Sequence, residues 1–162
     1  MILKYWHYIL LVVSILTIGI ALVAEHFYNL QPCSLCLKQR HPYYLFIIIS
    51  FIMFFILPFY RIYLSYLIQI GSIYGIFYSV WHVGVENKLF DGPSGCSSNL
   101  SISSNINDLK EQIFSKQIMS CEDVIWSFFG LSAATLNTIV LLFIFGINAL
   151  YIFRHYAKKE KH

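Results

Sequence analysis

The sequence predicts an all-α integral membrane protein: a four-helix bundle with two outward loops, the second carrying a short amphipathic surface helix. Three observations carry that prediction. Charged residues make up only 12% of the 162 residues while 58% are hydrophobic; a soluble domain usually carries about 25% charge and about 45–50% apolar residues. The few charges cluster, leaving four charge-free stretches at 5–24, 42–60, 62–85 and 124–153, together over half the chain. Each stretch approaches or exceeds the about 20 residues a helix needs to cross a bilayer. None shows the period-2 alternation of a membrane barrel strand. A water-soluble enzyme, a disordered chain and a nucleic-acid binder are excluded as defaults, and a net charge of +3 is too small to imply an acidic partner.

The first stretch is a span rather than a cleaved secretory signal. Its one candidate cleavage site, Leu22-Val23-Ala24 before Glu25, lacks the small residue wanted three positions before the cut. An even number of spans puts both termini on one side. Near the termini and in the central turn lie Lys4, Arg61, Arg154, Lys158, Lys159 and Lys161, against Glu160 alone. The other two loops, 25–41 and 86–123, hold Lys38, Arg40, Lys88, Lys110 and Lys116 among seven acids. The positive-inside bias therefore assigns the termini and the Arg61 turn to the cytoplasm and the two loops to the outer face.

All four cysteines fall in those outward loops, Cys33 and Cys36 in the first, Cys96 and Cys121 in the second. Two pairs in an oxidising compartment read as disulfide chemistry. Pro32 suits the first position of a helix, which puts Cys33 in the first turn, where the helix dipole and the Cys-X-X-Cys spacing favour a thiolate. Cys36 and Arg40 are four apart and share a helical face, so a guanidinium sits beside a thiolate or an anionic ligand. Pro42 is expected to break the ladder at residue 38, so that the second span starts afresh there.

Other readings of the cysteines stay open at this level. Zinc on all four needs short pairs of about two to four intervening residues, and Cys96 and Cys121 are much farther apart. Haem attachment needs His after the second cysteine; Leu37 stands there. Two inert structural bridges remain, although a two-residue spacer closes a loop too small to add much stability.

In the second loop, Asp91-Gly92-Pro93-Ser94-Gly95 is turn chemistry leading into Cys96. Apolar residues then recur at near-helical intervals, so 105–119 is expected to form an amphipathic surface helix ending just before Cys121. Within the spans, Gly71, Gly75 and Ser79, and likewise Gly130, Ala134 and Thr138, repeat every four residues, a pattern that lets helices approach closely. Asn137 and Asn148 read as interhelical hydrogen-bond formers. His82 and Glu86, four apart at the outer end of the third span, are candidates for a proton path or a cofactor contact. Tyr43, Tyr44, Tyr78 and Trp81 read as interfacial aromatics, and His7, His26 and His41 as headgroup-facing.

The run Pro32-Cys33-Ser34-Leu35-Cys36, with Gln39-Arg40 and Pro42-Tyr43-Tyr44 behind it, resembles the bacterial disulfide bond formation protein B family, DsbB. The likeness extends to Trp81-His82-Val83-Gly84-Val85-Glu86, to Gly92-Pro93 before Cys96, to Ser120-Cys121-Glu122-Asp123 and to the segment from Trp126 to Ser132. Four spans with a Cys-X-X-Cys are also shared with vitamin K epoxide reductases, but the loop motifs favour DsbB.

That resemblance implies a single inner-membrane domain over 1–162 acting as a protein-disulfide:quinone oxidoreductase. A reduced, DsbA-like periplasmic thiol oxidase would attack a Cys96–Cys121 disulfide at Cys96. Cys121 would pass the electrons to the Cys33–Cys36 bridge through a Cys33–Cys121 link. Cys36 would pass them to a membrane quinone, ubiquinone or menaquinone, with Arg40 stabilising the anionic species. Gln39 stands where some members carry Glu. His82 and Glu86 are the further candidates near the quinone. The competitor from another class is a non-enzymatic four-helix membrane adaptor stapled by two structural disulfides.

Overall fold

The computed structural model describes residues 5–28, 32–55, 60–93, 121, 127–128 and 130–159. Four long helices lie among them: α1 (Trp6–Phe27), α2 (Ser34–Phe55), α3 (Arg61–Glu86) and α4 (Ala133–Lys159), the last preceded by a two-stranded ribbon of β1 (Ser127–Phe128) and β2 (Leu131–Ser132). Helix α3 packs against α2 and α4, and α1 packs mainly on α2. Two of the helices, α1 and α4, are long and apolar enough to cross a membrane.

The core runs between the helices through Trp6, Leu10, Phe46, Ile68, Leu141 and Ile144, while Leu16, Ile48, Phe77 and Phe143 point outward. An apolar exterior over a tightly packed interior suits a lipid surround, in which helix association rests on close packing and hydrogen bonds between helices. Gly75 marks the closest approach. A Cβ there would stand 2.9 Å from Pro42 Cγ and 3.0 Å from Leu141 Cδ1, so α2, α3 and α4 meet only because that position is bare. Asn148 ties the other end of the bundle, donating to the Ser65 carbonyl at 2.8 Å and accepting from Trp6 Nε1 at 3.3 Å.

Five expectations need correction. Pro42 does not end a helix, because α2 runs through it from Ser34 to Phe55 and the ring nests against Gly75. A proline is tolerated inside a membrane helix where neighbouring helices accommodate it. The fourth helix begins at Ala133 instead of 124. Gly130 adopts φ +77° in the ribbon turn, a conformation suited to glycine, and Ser132 Oγ then accepts the Thr135 amide at 3.2 Å as an N-cap. Gly130 therefore leaves the small-residue stripe of α4, which keeps Ala134 and Thr138. Tyr43 is 1% exposed and belongs to the core, and His7 is likewise buried, against Phe54, instead of facing headgroups. The surface helix expected at 105–119 lies outside the described residues.

The C-terminal end of α3 is closed by a reversal that fixes the site. Lys88 takes a positive φ of 56°, Leu89 N–H donates to the Gly84 carbonyl at 2.8 Å, and Lys88 N–H donates to that of Val85 at 2.9 Å. These are the paired bonds of a Schellman stop. They hold the last turns of α3, with His82 and Glu86, in one orientation.

Candidate redox site

Cys33 caps α2. Its carbonyl accepts the Leu37 amide at 3.1 Å, and its Sγ accepts the Cys36 amide N–H at 3.2 Å. Sulfur thus takes the part usually played by a serine or aspartate oxygen, facing the positive end of the helix dipole. The helix therefore starts slightly later than the expected Pro32, and Cys33 is the cap instead of a first-turn residue.

Cys36 Sγ lies 2.8 Å from Cys33 Sγ, and both cysteines are free. Cys121 is buried beside them and disulfide-bonded, with a partner beyond the described residues; Cys96 lies outside them. Cys33 Sγ, a ring nitrogen of His82 and Cys121 Sγ all lie within 4.8 Å of one another. A zinc ion on that trio would need Cys121 as a free thiolate.

The two free thiols are not equivalent. The hydrogen bond shared with Cys36 draws Cys33 well below the ordinary cysteine range, and His82 adds to the effect against the opposing cost of burial. The same shared bond, then burial and the charge on Cys33, pushes Cys36 up, while Arg40 opposes the rise. Cys33 is the thiolate of the pair and Cys36 the thiol. Both stand before the apolar part of α2, which follows Lys38, Arg40 and His41.

A cavity of about 260 Å³ opens on the far side of Cys36. Ile18 and Ala21 of α1 and Leu136 and Val140 of α4 form its apolar walls, while Cys36, Gln39, Arg40, His82 and Asn137 supply its polar edge. Cys36 and Arg40 share this face, one helical turn apart. Arg40 Nη1 donates to Glu25 Oε2 of α1 at 2.7 Å.

His82 reaches both halves of the site. Its Nε2 lies 3.7 Å from Cys33 Sγ and 4.0 Å from Glu86 Oε1, and its Nδ1 lies 2.7 Å from Gln39 Nε2. Glu86 accepts from Ser132 Oγ at 2.5 Å and does not line the cavity. The structure thus brings Cys33, Cys36, Cys121, Arg40 and His82 together and places Glu86 behind His82.

Sequence reasoning passed over Glu25 and over the part played by Gln39. A buried amide among apolar residues, needing partners for all its polar atoms, was the available signal for Gln39. Glu25 gave no such signal, since an acid at a helix end reads as solvent-facing.

A helical membrane chain with an uneven free dithiol at a helix cap, packed on a disulfide, defines a membrane disulfide oxidoreductase. The comparisons agree. The family described as disulfide bond formation protein DsbB matches residues 4–151, and the chain belongs to that family. An uncharacterised protein of Rickettsia prowazekii (strain Madrid E) is 29% identical over 153 residues, covering 91% of this chain and 88% of the relative. The disulfide bond formation protein B of Acinetobacter baylyi is 28% identical over 132 residues, covering 76% and 75%. No solved structure matches.

Proposed function

We propose that this chain re-oxidises a DsbA-like periplasmic thiol oxidase and passes the electrons through its two cysteine pairs to a membrane quinone, ubiquinone or menaquinone. The observation that carries this reading is the division of the dithiol: Cys33 faces Cys121, while Cys36 and Arg40 face the cavity.

The chemistry balances as a series of exchanges. A partner thiolate attacks Cys96 of a Cys96–Cys121 bridge, and Cys121 leaves as a thiolate. Cys121 attacks Cys33 of the Cys33–Cys36 bridge, forming a Cys33–Cys121 bond as Cys36 leaves with the electron pair. The partner's second thiolate then displaces Cys96, releasing the oxidised partner. Cys96 attacks Cys121, restores the first bridge and releases Cys33 as a thiolate. Cys33 and Cys36 are now both reduced while Cys121 is again bridged, and this is the combination of free and bonded sulfurs found in the structure. While Cys33 is tied to Cys121, the largest influence raising Cys36 is gone and Arg40 remains to favour its thiolate.

The cavity suits a flat ring headgroup. Its about 260 Å³ lies just below the usual range of about 300–1,000 Å³ for small-molecule sites, and its apolar walls end in an amide-bearing and cationic edge. A quinone bound there supplies the two-electron, two-proton acceptor that returns Cys33 and Cys36 to a disulfide. Arg40, steadied by Glu25, would hold its oxygen-bearing end, and Ile18 and Val140 would keep water from the sulfur. The cysteine loops would then face the periplasm of a bacterial inner membrane, with both termini cytoplasmic.

Trapping tests the reading. A reduced DsbA-like protein lacking its second thiol should attack the Cys96–Cys121 bridge of the oxidised wild-type chain, release Cys121 as a thiolate and accumulate as a mixed disulfide on Cys96, since nothing is left to displace Cys96. Absence of any such adduct with the folded, oxidised chain and several such partners would refute it.

A further inference from the structure

Gln39 is a polar side chain in the site to which the exchange chemistry assigns no task. It is 6% exposed and bonded at both ends of its amide. Tyr43 OH donates to Asn137 Oδ1 at 2.5 Å, which turns the Asn137 NH₂ toward Gln39 Oε1 at 2.7 Å. Ser79 Oγ lies 3.4 Å from the same oxygen but has nearer acceptors for its one proton, the Ala134 carbonyl at 3.1 Å and Thr138 Oγ1 at 2.7 Å, so Asn137 is the donor that holds Gln39 Oε1. With its oxygen taken, Gln39 has only its NH₂ to offer His82 Nδ1, 2.7 Å away. An amide N–H can pair with a ring nitrogen only where that nitrogen accepts, so the ring proton is left on Nε2. That is the nitrogen 3.7 Å from Cys33 Sγ.

We infer that Gln39 is a positioning residue that locks His82 in its Nε2–H form, so that the ring donates to Cys33 and stabilises this sulfur as the leaving thiolate of the exchange with Cys121. The inference deepens the proposed function, resting on it only in taking Cys33 as the exchanging sulfur. The chain runs from Tyr43 on α2 to Asn137 on α4, back to Gln39 on α2 and on to His82 on α3, so the tautomer is fixed by the packing of three helices. A better-stabilised thiolate leaves faster in thiol–disulfide exchange. Among the described residues, the ionisable groups that act on Cys33 are Cys36 from α2 and His82 from α3, with the bridged Cys121 beside them; Arg40 lies on the cavity face and Glu86 behind His82. Only His82 among them has its proton placed by a neutral neighbour. Glu86 Oε1, 4.0 Å from Nε2, is the competing acceptor; its other oxygen is engaged by Ser132.

Two measurements on the full chain in detergent test this without quinone or partner. In ¹⁵N-histidine-labelled wild type, the His82 ring should report a protonated Nε2 and an unprotonated Nδ1; the reverse tautomer would overturn the inference, and no variant is needed to find out. The pH profile of Cys33 alkylation in the reduced protein, resolved from Cys36 by peptide mass spectrometry, gives the second. Gln39→Leu frees the ring to change tautomer and should move the midpoint up by about one pH unit. Gln39→Glu turns an acceptor toward Nδ1, favours a doubly protonated ring and should move it down by a similar amount. Shifts of the same sign, as simple loosening of the packing would produce, or no shift at all, would overturn the lock. Shifts as described beside a wild type that reduces no quinone would overturn the proposed function and leave the lock standing.

Discussion

Cys33 and Cys36 hold their sulfurs 2.8 Å apart and yet open onto different neighbours. Cys33, the cap of α2, packs with Cys121 and His82; Cys36, one turn into the helix, looks into the cavity that Arg40 also lines. On the proposed route, electrons would enter at Cys33 and leave at Cys36 with only this separation to cross.

The first consequence is a difference in reactivity. Cys33 is drawn down and Cys36 pushed up by the bond they share. At neutral pH iodoacetamide should modify Cys33 well before Cys36. As pH falls, Cys33 should keep reacting until well below the about 8.5 of a free cysteine, and only then lose its thiolate. Site-resolved mass spectrometry of the reduced protein reads both residues in one experiment. Equal rates for the two would contradict the asymmetry.

Arg40 should matter to the cavity and not to the cysteine exchange. Arg40→Ala removes a charge-assisted contact, the kind worth about 1.5–3 kcal/mol, so the quinone KM should rise by about tenfold or more. Formation of the mixed disulfide with a thiol oxidase should stay within about twofold, since Arg40 is bonded to Glu25 and away from Cys121. Steady-state kinetics and non-reducing gels measure the two.

Packing at Gly75 gives a test of the bundle. Gly75→Val would drive side-chain atoms into Pro42 and Leu141 and should cost about 1–3 kcal/mol. Gly19→Ala, where a Cβ meets nothing within 4 Å, should be tolerated. Thermal unfolding in a fixed detergent compares them.

Ser132 joins the start of α4 to the end of α3, capping the Thr135 amide and donating to Glu86. Ser132→Ala should lower stability by about 0.5–2 kcal/mol. Thermal unfolding in the same detergent measures the loss, and a variant as stable as wild type would count against the cap.

Much of this was legible beforehand because a membrane imposes long, charge-free helices and because Cys-X-X-Cys spacing dictates a shared turn. The i, i+4 spacing of Cys36 and Arg40 translated directly into a common cavity face, and the small residues at 71, 75 and 79 into a close helix crossing. The misreadings have local causes. Pro42 reads as a breaker when its helix is considered alone, and only Gly75 on a neighbouring helix makes room for it. The start of α4 was hidden because residues before Gly130 are as apolar as a span, although the Ser132 cap was present in the sequence. Tyr43 looked interfacial because its partner, Asn137, is far along the chain. The pairing of Glu25 with Arg40 and of Gln39 with His82 depends on helix–helix register, which periodicity within one helix does not encode.

The central claim is that electrons run from a thiol oxidase through Cys33 and Cys36 to quinone. It is tested most directly by following quinone absorbance on adding reduced DsbA-like partner to the purified, oxidised protein, wild type beside Cys33→Ser, Cys36→Ser and Cys96→Ser. The account expects steady quinone loss in the wild type and none in any cysteine variant. A folded, oxidised wild type that consumes neither ubiquinone nor menaquinone with several such partners would contradict it.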